Sequence, residues 1–109
     1  TFPYDPTMKD MNPVAKKFTA NWKKVFPKKD PNVNSALGYD SYMLIMDAIK
    51  RAGKAEPEAI TKALASTKGF LGVTGATTIN ATHDAEKPVG IMQIQNGKRV
   101  FLTTVEPKL

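Results

Sequence analysis

The chain contains no cysteine, a single histidine and only two arginines among its 109 residues. The absence of thiols excludes a disulfide scaffold, a thiolate nucleophile, Cys-ligated zinc and iron–sulfur clusters, and leaves the redox compartment open. One histidine, His83, and scattered carboxylates supply no spaced set of metal ligands, so no metal and no cofactor is expected. The longest apolar runs are a few residues, too short for a transmembrane helix. The N-terminus lacks the charged-then-apolar pattern of a signal peptide, and Thr1 in place of Met reads as the start of a processed or excised piece. Acidic residues are the minority sign, 10 against 16 basic, for a net charge of +6.

What is present is ordinary for one globular domain: 41% hydrophobic and 24% charged residues. The excess charge is local. Lys16, Lys17, Lys23, Lys24, Lys28 and Lys29 fall within one stretch. Arginine, the residue that reads base edges and grips phosphate bidentately, is missing from it, so the cluster reads as a solvated face and no nucleic-acid partner is expected.

The opening Thr1-Phe2-Pro3-Tyr4-Asp5-Pro6 is extended, because each proline biases the residue before it away from helix. Asn12 is a good N-cap and Pro13 suits the first helical position. Val14, Phe18, Trp22, Val25 and Phe26 then form an apolar stripe that Pro27 ends, a helix over about 12–26. After a polar loop with Asp30-Pro31, Ser35 is read as the cap of a second helix over 35–52. This helix is apolar around much of its circumference and is expected to be the most buried of the three. Gly53 stops it. A third helix runs over 57–68, opened by Glu56-Pro57-Glu58 and closed by Gly69. Phe70 to Gly75 is punctuated by glycines, Thr77-Thr78-Ile79 is a short strand, and Ala81 to Lys87 is a polar loop. Residues 89–95 and 98–104 flank Asn96-Gly97, a strong hairpin signal; the last residues, 105–109, should fray. Three helices followed by a lone hairpin form either a compact α+β domain or part of a larger α/β protein whose other strands lie elsewhere.

Catalytic chemistry is hard to build from these residues. His83 beside Asp84 reads as an exposed loop histidine. No serine sits in a nucleophile elbow, Asp47 is isolated on its helix, and Asp40 is taken as a first-turn carboxylate favoured by the helix dipole. Gly69, Gly72 and Gly75 lack the Gly-Lys-Ser/Thr ending of a phosphate loop and serve a turn or chain crossing. Asn80-Ala81-Thr82 is a sequon of a kind common by chance. No catalytic residue is expected. Tyr39, placed at the N-terminal end of the second helix, is the candidate to line a ligand pocket, with Tyr42 one turn on read as a core residue.

The run Ala36-Leu37-Gly38-Tyr39-Asp40-Ser41-Tyr42 followed by Asp47-Ala48-Ile49-Lys50-Arg51-Ala52-Gly53 resembles the branched-chain amino-acid-type solute-binding proteins of ABC transporters. Pro57-Glu58-Ala59-Ile60, Phe70 to Gly75, Lys87-Pro88-Val89, the Asn96-Gly97 hairpin and the leading Tyr4-Asp5-Pro6 fall in that family's order. The resemblance implies an α/β, two-lobed, type I periplasmic binding protein, of which this chain is a C-terminal fragment: three helices, a short strand and a C-terminal β-hairpin. It implies a first-lobe segment over 1–88, with a hinge lead at 1–7, and a hinge crossing with a second-lobe hairpin over 89–109. It further implies an extracytoplasmic receptor, periplasmic or lipid-anchored and with a signal peptide in its precursor, that closes on an amino acid and docks on an ABC permease. The local ligand-binding candidates are Tyr39 and Tyr4. A fragment without the N-terminal part of the same protein is expected to bind ligand poorly and to form homo-oligomers or exchange strands. The competing expectations are a sensor or receptor ectodomain of the same fold and a small basic nucleic-acid-binding protein.

Overall fold

A computed structural model describes residues 1–108. Leu109, the end of the expected hairpin segment, lies outside the described residues. Asn12 caps α1 (Pro13–Val25): its Oδ1 accepts from the Ala15 amide at 2.9 Å, and its Nδ2 donates to the Gly72 carbonyl at 3.1 Å. One side chain thus closes a helix and ties it to a strand. Helix α2 spans Val33–Ala52. Its cap is Asn32, not Ser35. Ser35 is the third helical residue and completes a capping box, its amide donating to Asn32 Oδ1 at 3.0 Å. The earlier start moves Asp40 and Tyr39 out of the first turn and into the body of the helix. Gly53 ends α2 in the left-handed conformation with φ of 72°. Helix α3 (Pro57–Ala65) is capped at its C-terminal end by Ser66, short of the expected 68.

Two strands were not anticipated. The glycine-punctuated segment forms β1 (Phe70–Gly72), which pairs antiparallel with β2 (Gly75–Ile79) around a Val73-Thr74 turn. The polar loop contains β3 (Ala85–Glu86), which pairs with the far end of β2. A separate antiparallel ribbon joins β4 (Val89–Gln95) to β5 (Lys98–Val105). Asn96 and Gly97 take φ of 50° and 74°, the two positive values that the tight hairpin requires. A bulge opposite Ile91 and Met92 shifts the register, so that Ile91 faces Thr103 while Met92 faces Phe101.

The core gathers Tyr4, Ala15, Phe18, Ala36 and Val73, with Met11, Val14, Trp22 and Tyr39 around it. Phe18 is its hub: the Tyr4 ring meets it edge-on at 5.6 Å and Tyr39 lies at 5.1 Å. Helix α2 is not the buried helix that its composition implied. Only Ala36, Asp40 and Ala48 are buried along it, while Tyr42 is 64% exposed and Met43, Ile45 and Met46 also face solvent. Asp47 is not isolated either. It accepts from Arg51 Nε at 2.8 Å, and the same guanidinium reaches across to the Ala63 carbonyl at 2.6 Å and Thr67 Oγ1 at 2.9 Å, satisfying the end of α3. The Cα radius of gyration is 15.3 Å. A self-contained domain of this size would have about 13 Å.

Candidate functional site

The lead, the β1–β2 turn and the start of β4 converge on one joint. Thr1 and Gly90 exchange both backbone bonds, amide to Thr1 carbonyl at 2.7 Å and terminal amine to Gly90 carbonyl at 3.2 Å, which sets the lead beside β4. A side chain at position 90 would be crowded: a Cβ there would lie 3.0 Å from Pro3 Cα and 3.2 Å from the Phe101 ring.

Asp40 anchors the centre of this joint. It is 7% exposed. Its Oδ1 accepts from the Val73 amide at 2.7 Å. Its Oδ2 accepts from the Thr74 amide at 2.9 Å and the Thr74 hydroxyl at 2.6 Å. Both amides of a two-residue turn therefore end on one carboxylate from a helix. Gly72 permits this approach, since a Cβ at that position would stand 2.6 Å from the Asp40 carboxyl carbon. Thr74 accepts in turn from Lys87 Nζ, and the same ammonium lies over the Phe2 ring, 5.1 Å from its centroid. Burial pulls the Lys87 ammonium below its ordinary value, and the Asp40 charge works in the opposite direction. Phe2, Asp40, Phe70 and Lys87 line a cavity of about 190 Å³.

A second buried aspartate serves the hairpin. Asp5 accepts from the Thr7 amide at 2.9 Å and from the Thr7 hydroxyl, and pairs with Arg99 Nη2 at 3.3 Å. Burial alone would raise its carboxyl; the Thr7 bonds and the Arg99 charge overcome that and hold it below the ordinary value. A groove of about 330 Å³ runs beside this joint between Met8, Met11, Leu71, Pro88 and Thr104.

The two tyrosines singled out from sequence lie in one cluster. Tyr4 is 3% exposed, with its hydroxyl 2.8 Å from Thr19 Oγ1. Burial raises its phenol above the ordinary value. Tyr39 is half-buried against Phe18, seven residues into α2, so the helix N-terminus does not act at its position. Tyr42 is on the surface, not in the core. His83 is exposed with φ of 67° and borders an apolar groove of about 360 Å³ between α2 and α3. Asn80 is occupied locally: its Oδ1 accepts from the Thr82 and Asp84 amides. The six clustered lysines are all exposed. Trp22 packs at a tilt against Phe26, ring centroids 4.7 Å apart, and donates to the backbone carbonyl of Lys29 at 2.8 Å. Among the described residues no three His, Asp or Glu side chains converge as a metal site. Among the described residues no helix is long and apolar enough to cross a membrane.

Sequence reasoning missed Asp40, Thr74 and Lys87 as a unit. The available signal was the pairing of a carboxylate inside an apolar helix with a Gly-Val-Thr-Gly turn rich in free amides.

The fold is a small α/β fragment, three helices with antiparallel strands, that matches part of the type I periplasmic binding protein fold. The family described as periplasmic binding protein matches residues 1–99, and the chain belongs to it. Among solved structures it is similar to the leucine binding protein LivK of Thermotoga maritima, at 38% identity and a TM-score of 0.82, over 98% of this chain and 30% of that one. It is also similar to LivJ of Streptococcus pneumoniae, a branched-chain amino acid transporter substrate binding protein solved with isoleucine, at 34% identity and a TM-score of 0.78, over 93% of this chain and 28% of that one. The chain thus spans less than a third of either relative. No curated protein matches it.

Proposed function

We propose that this chain is the C-terminal part of the extracytoplasmic substrate-binding component of an ABC transporter for branched-chain or other amino acids. In this reading residues 1–88 belong to the first lobe, entered through a hinge lead at 1–7. Residues 89–109 cross back and end in the second lobe. The observation that carries the reading is the likeness to the leucine binding protein over nearly the whole of this chain, at an identity well above that of fold likeness alone. The protein makes and breaks no bond. It captures its ligand by lobe closure and delivers it to a permease, and ATP hydrolysis belongs to that partner. The exposed apolar face of α2, at Tyr42, Met43, Ile45 and Met46, is then the surface that the N-terminal part of the protein covers. Left alone, the fragment self-associates through it.

Tyr39 and Tyr4 are the residues of this chain that we assign to the ligand cleft. Tyr4, its hydroxyl engaged by Thr19 and its ring buried against Phe18, supports the cleft from behind, whereas Tyr39 keeps part of its surface open. Both the mass of the native gene product and its titration with isoleucine test the reading. The expected product is about three times the length of this chain, as the 30% share implies. It binds isoleucine, and Tyr39→Ala weakens that binding. A native product no longer than this chain, or a longer one indifferent to aliphatic amino acids, overturns the proposal.

A further inference from the structure

Lys87 stands where four separate pieces of the chain meet. It follows β3 and immediately precedes Pro88, the first residue of the passage into β4. Its ammonium caps the Phe2 ring on the lead and bonds the Thr74 hydroxyl in the β1–β2 turn. Thr74, fully buried, donates its hydroxyl hydrogen bond to Asp40 on α2 at 2.6 Å. The order of donation is fixed by chemistry: an ammonium has only protons to give, a carboxylate only lone pairs, and the hydroxyl between them accepts from one and donates to the other. Lead and passage are also joined directly by the Thr1–Gly90 pair, and Pro88 is wedged where a Cβ on Gly75 would meet its ring at 2.6 Å.

We propose that Lys87 is a positioning residue that locks the lead and the passage into β4 together as one ribbon and fastens that ribbon, through Thr74, to Asp40 on the helical body. Calling the ribbon a hinge rests on the two-lobed reading above; the lock itself rests on the contacts. A half-buried lysine bears a cost of desolvation, and a neutral side chain of the same length would avoid it. A cationic side chain at this point satisfies an aromatic face and a buried hydroxyl–carboxylate pair at once. Its geometry is specific: removal of the charge leaves the Asp40 carboxylate its turn amides but severs the polar side-chain chain that runs from Asp40 through Thr74 and Lys87 to the Phe2 ring, leaving only apolar packing between that helix and the lead. For a receptor that closes by rotating two lobes, such a link holds the crossings side by side while the lobes move.

The test is amide hydrogen exchange on the intact native gene product, without ligand, comparing wild type with Lys87→Met, Lys87→Arg and, as a surface control, Lys62→Met. The Gly90 amide, bonded to Thr1, reports the ribbon. Lys87→Met is expected to speed its exchange roughly tenfold, with the amides of α1 and the middle of β5 unchanged, and Lys87→Arg to restore most of the protection. Unchanged exchange at Gly90 overturns the proposal, as does a uniform rise across α1, β5 and Gly90, the mark of general destabilisation. Should Lys87→Met fail to fold, Phe2→Leu decides in the same way, with a smaller rise confined to Gly90 supporting the lock and no rise overturning it. Isoleucine titration of the wild type runs alongside. Its failure would remove the ligand-capture reading and leave the exchange result to judge the lock by itself.

Discussion

Asp40 and Asp5 are both buried carboxylates, and both join segments that sequence sets far apart, but the joints differ in what surrounds them. Asp40 sits on a helix and receives its bonds from residues 33 and 34 positions on, all within the buried interior. Asp5 sits on the extended lead and receives two of its bonds from Thr7, two residues away. Its distant partner, Arg99 on the hairpin, has 57% of its side chain exposed and lies at 3.3 Å. The first joint closes a turn inside the helical body; the second tethers an otherwise outlying ribbon. The same residue type thus builds a stiff connection where its donors are backbone amides excluded from water, and a yielding one where the donor is a solvated side chain.

The largest expected difference between the joints comes from truncating the first. Asp40→Ala strands the Val73 and Thr74 amides and leaves Lys87 without its counter-charge, at a cost of about 3–5 kcal/mol. Urea unfolding measures it. A cost as small as that of losing Asp5 would erase the contrast. Gly72→Ala attacks the same joint sterically, because the new Cβ would stand 2.6 Å from the Asp40 carboxyl. The expected cost is about 1–3 kcal/mol. In an Asp40→Ala background most of that penalty should vanish, and a double-mutant cycle returning additive costs would place the clash elsewhere.

Gly97→Ala probes the hairpin. Open space surrounds position 97, yet its φ is 74°. The cost is therefore conformational, about 1–2 kcal/mol. Amide exchange should record it in β4 and β5 while the α1 amides stay as they were. Equal losses in both regions would mean that hairpin and body unfold as one unit, with no difference in stiffness between the two joints.

These contrasts mark what the sequence made legible. The hairpin was readable because Asn96-Gly97 is a local signal with a single good solution, and α1 because Asn12, Pro13 and the Phe18 stripe agree. The start of α2 was misplaced because Asn32 and Ser35 are both good caps, and only the backbone geometry reveals which one is outside the helix. β1 and β3 were hidden because three and two residues carry no periodicity; their partner, β2, defines them. The exposure of α2 was misjudged because apolar composition states that a face wants cover, without stating that the cover is within the same 109 residues. Asp40 was misread for the same reason. A lone carboxylate beside a helix start looks like a dipole effect until the turn 33 residues later is folded onto it.

The smallest effect concerns the yielding joint and its dependence on acid. Burial raises the Asp5 carboxyl, but the Thr7 bonds and Arg99 outweigh it, so its folded pKa lies below the 3.8 of the unfolded chain. As pH falls the unfolded state takes up the proton first. The stabilisation is therefore complete above 3.8 and is lost as the pH drops from there through the lower folded value. Asp5→Asn should cost about 1 kcal/mol near neutrality, held down by the solvation of Arg99. The gap between variant and wild type should close below pH 3.8, and added salt should narrow it at neutral pH by screening the exposed guanidinium. Unfolding curves at the two pH values check both statements. A gap that persists in acid would show that Asp5 works through its shape and its Thr7 bonds alone, with no share from its charge, and the tether to the hairpin would then have to lie in the Thr1–Gly90 pair.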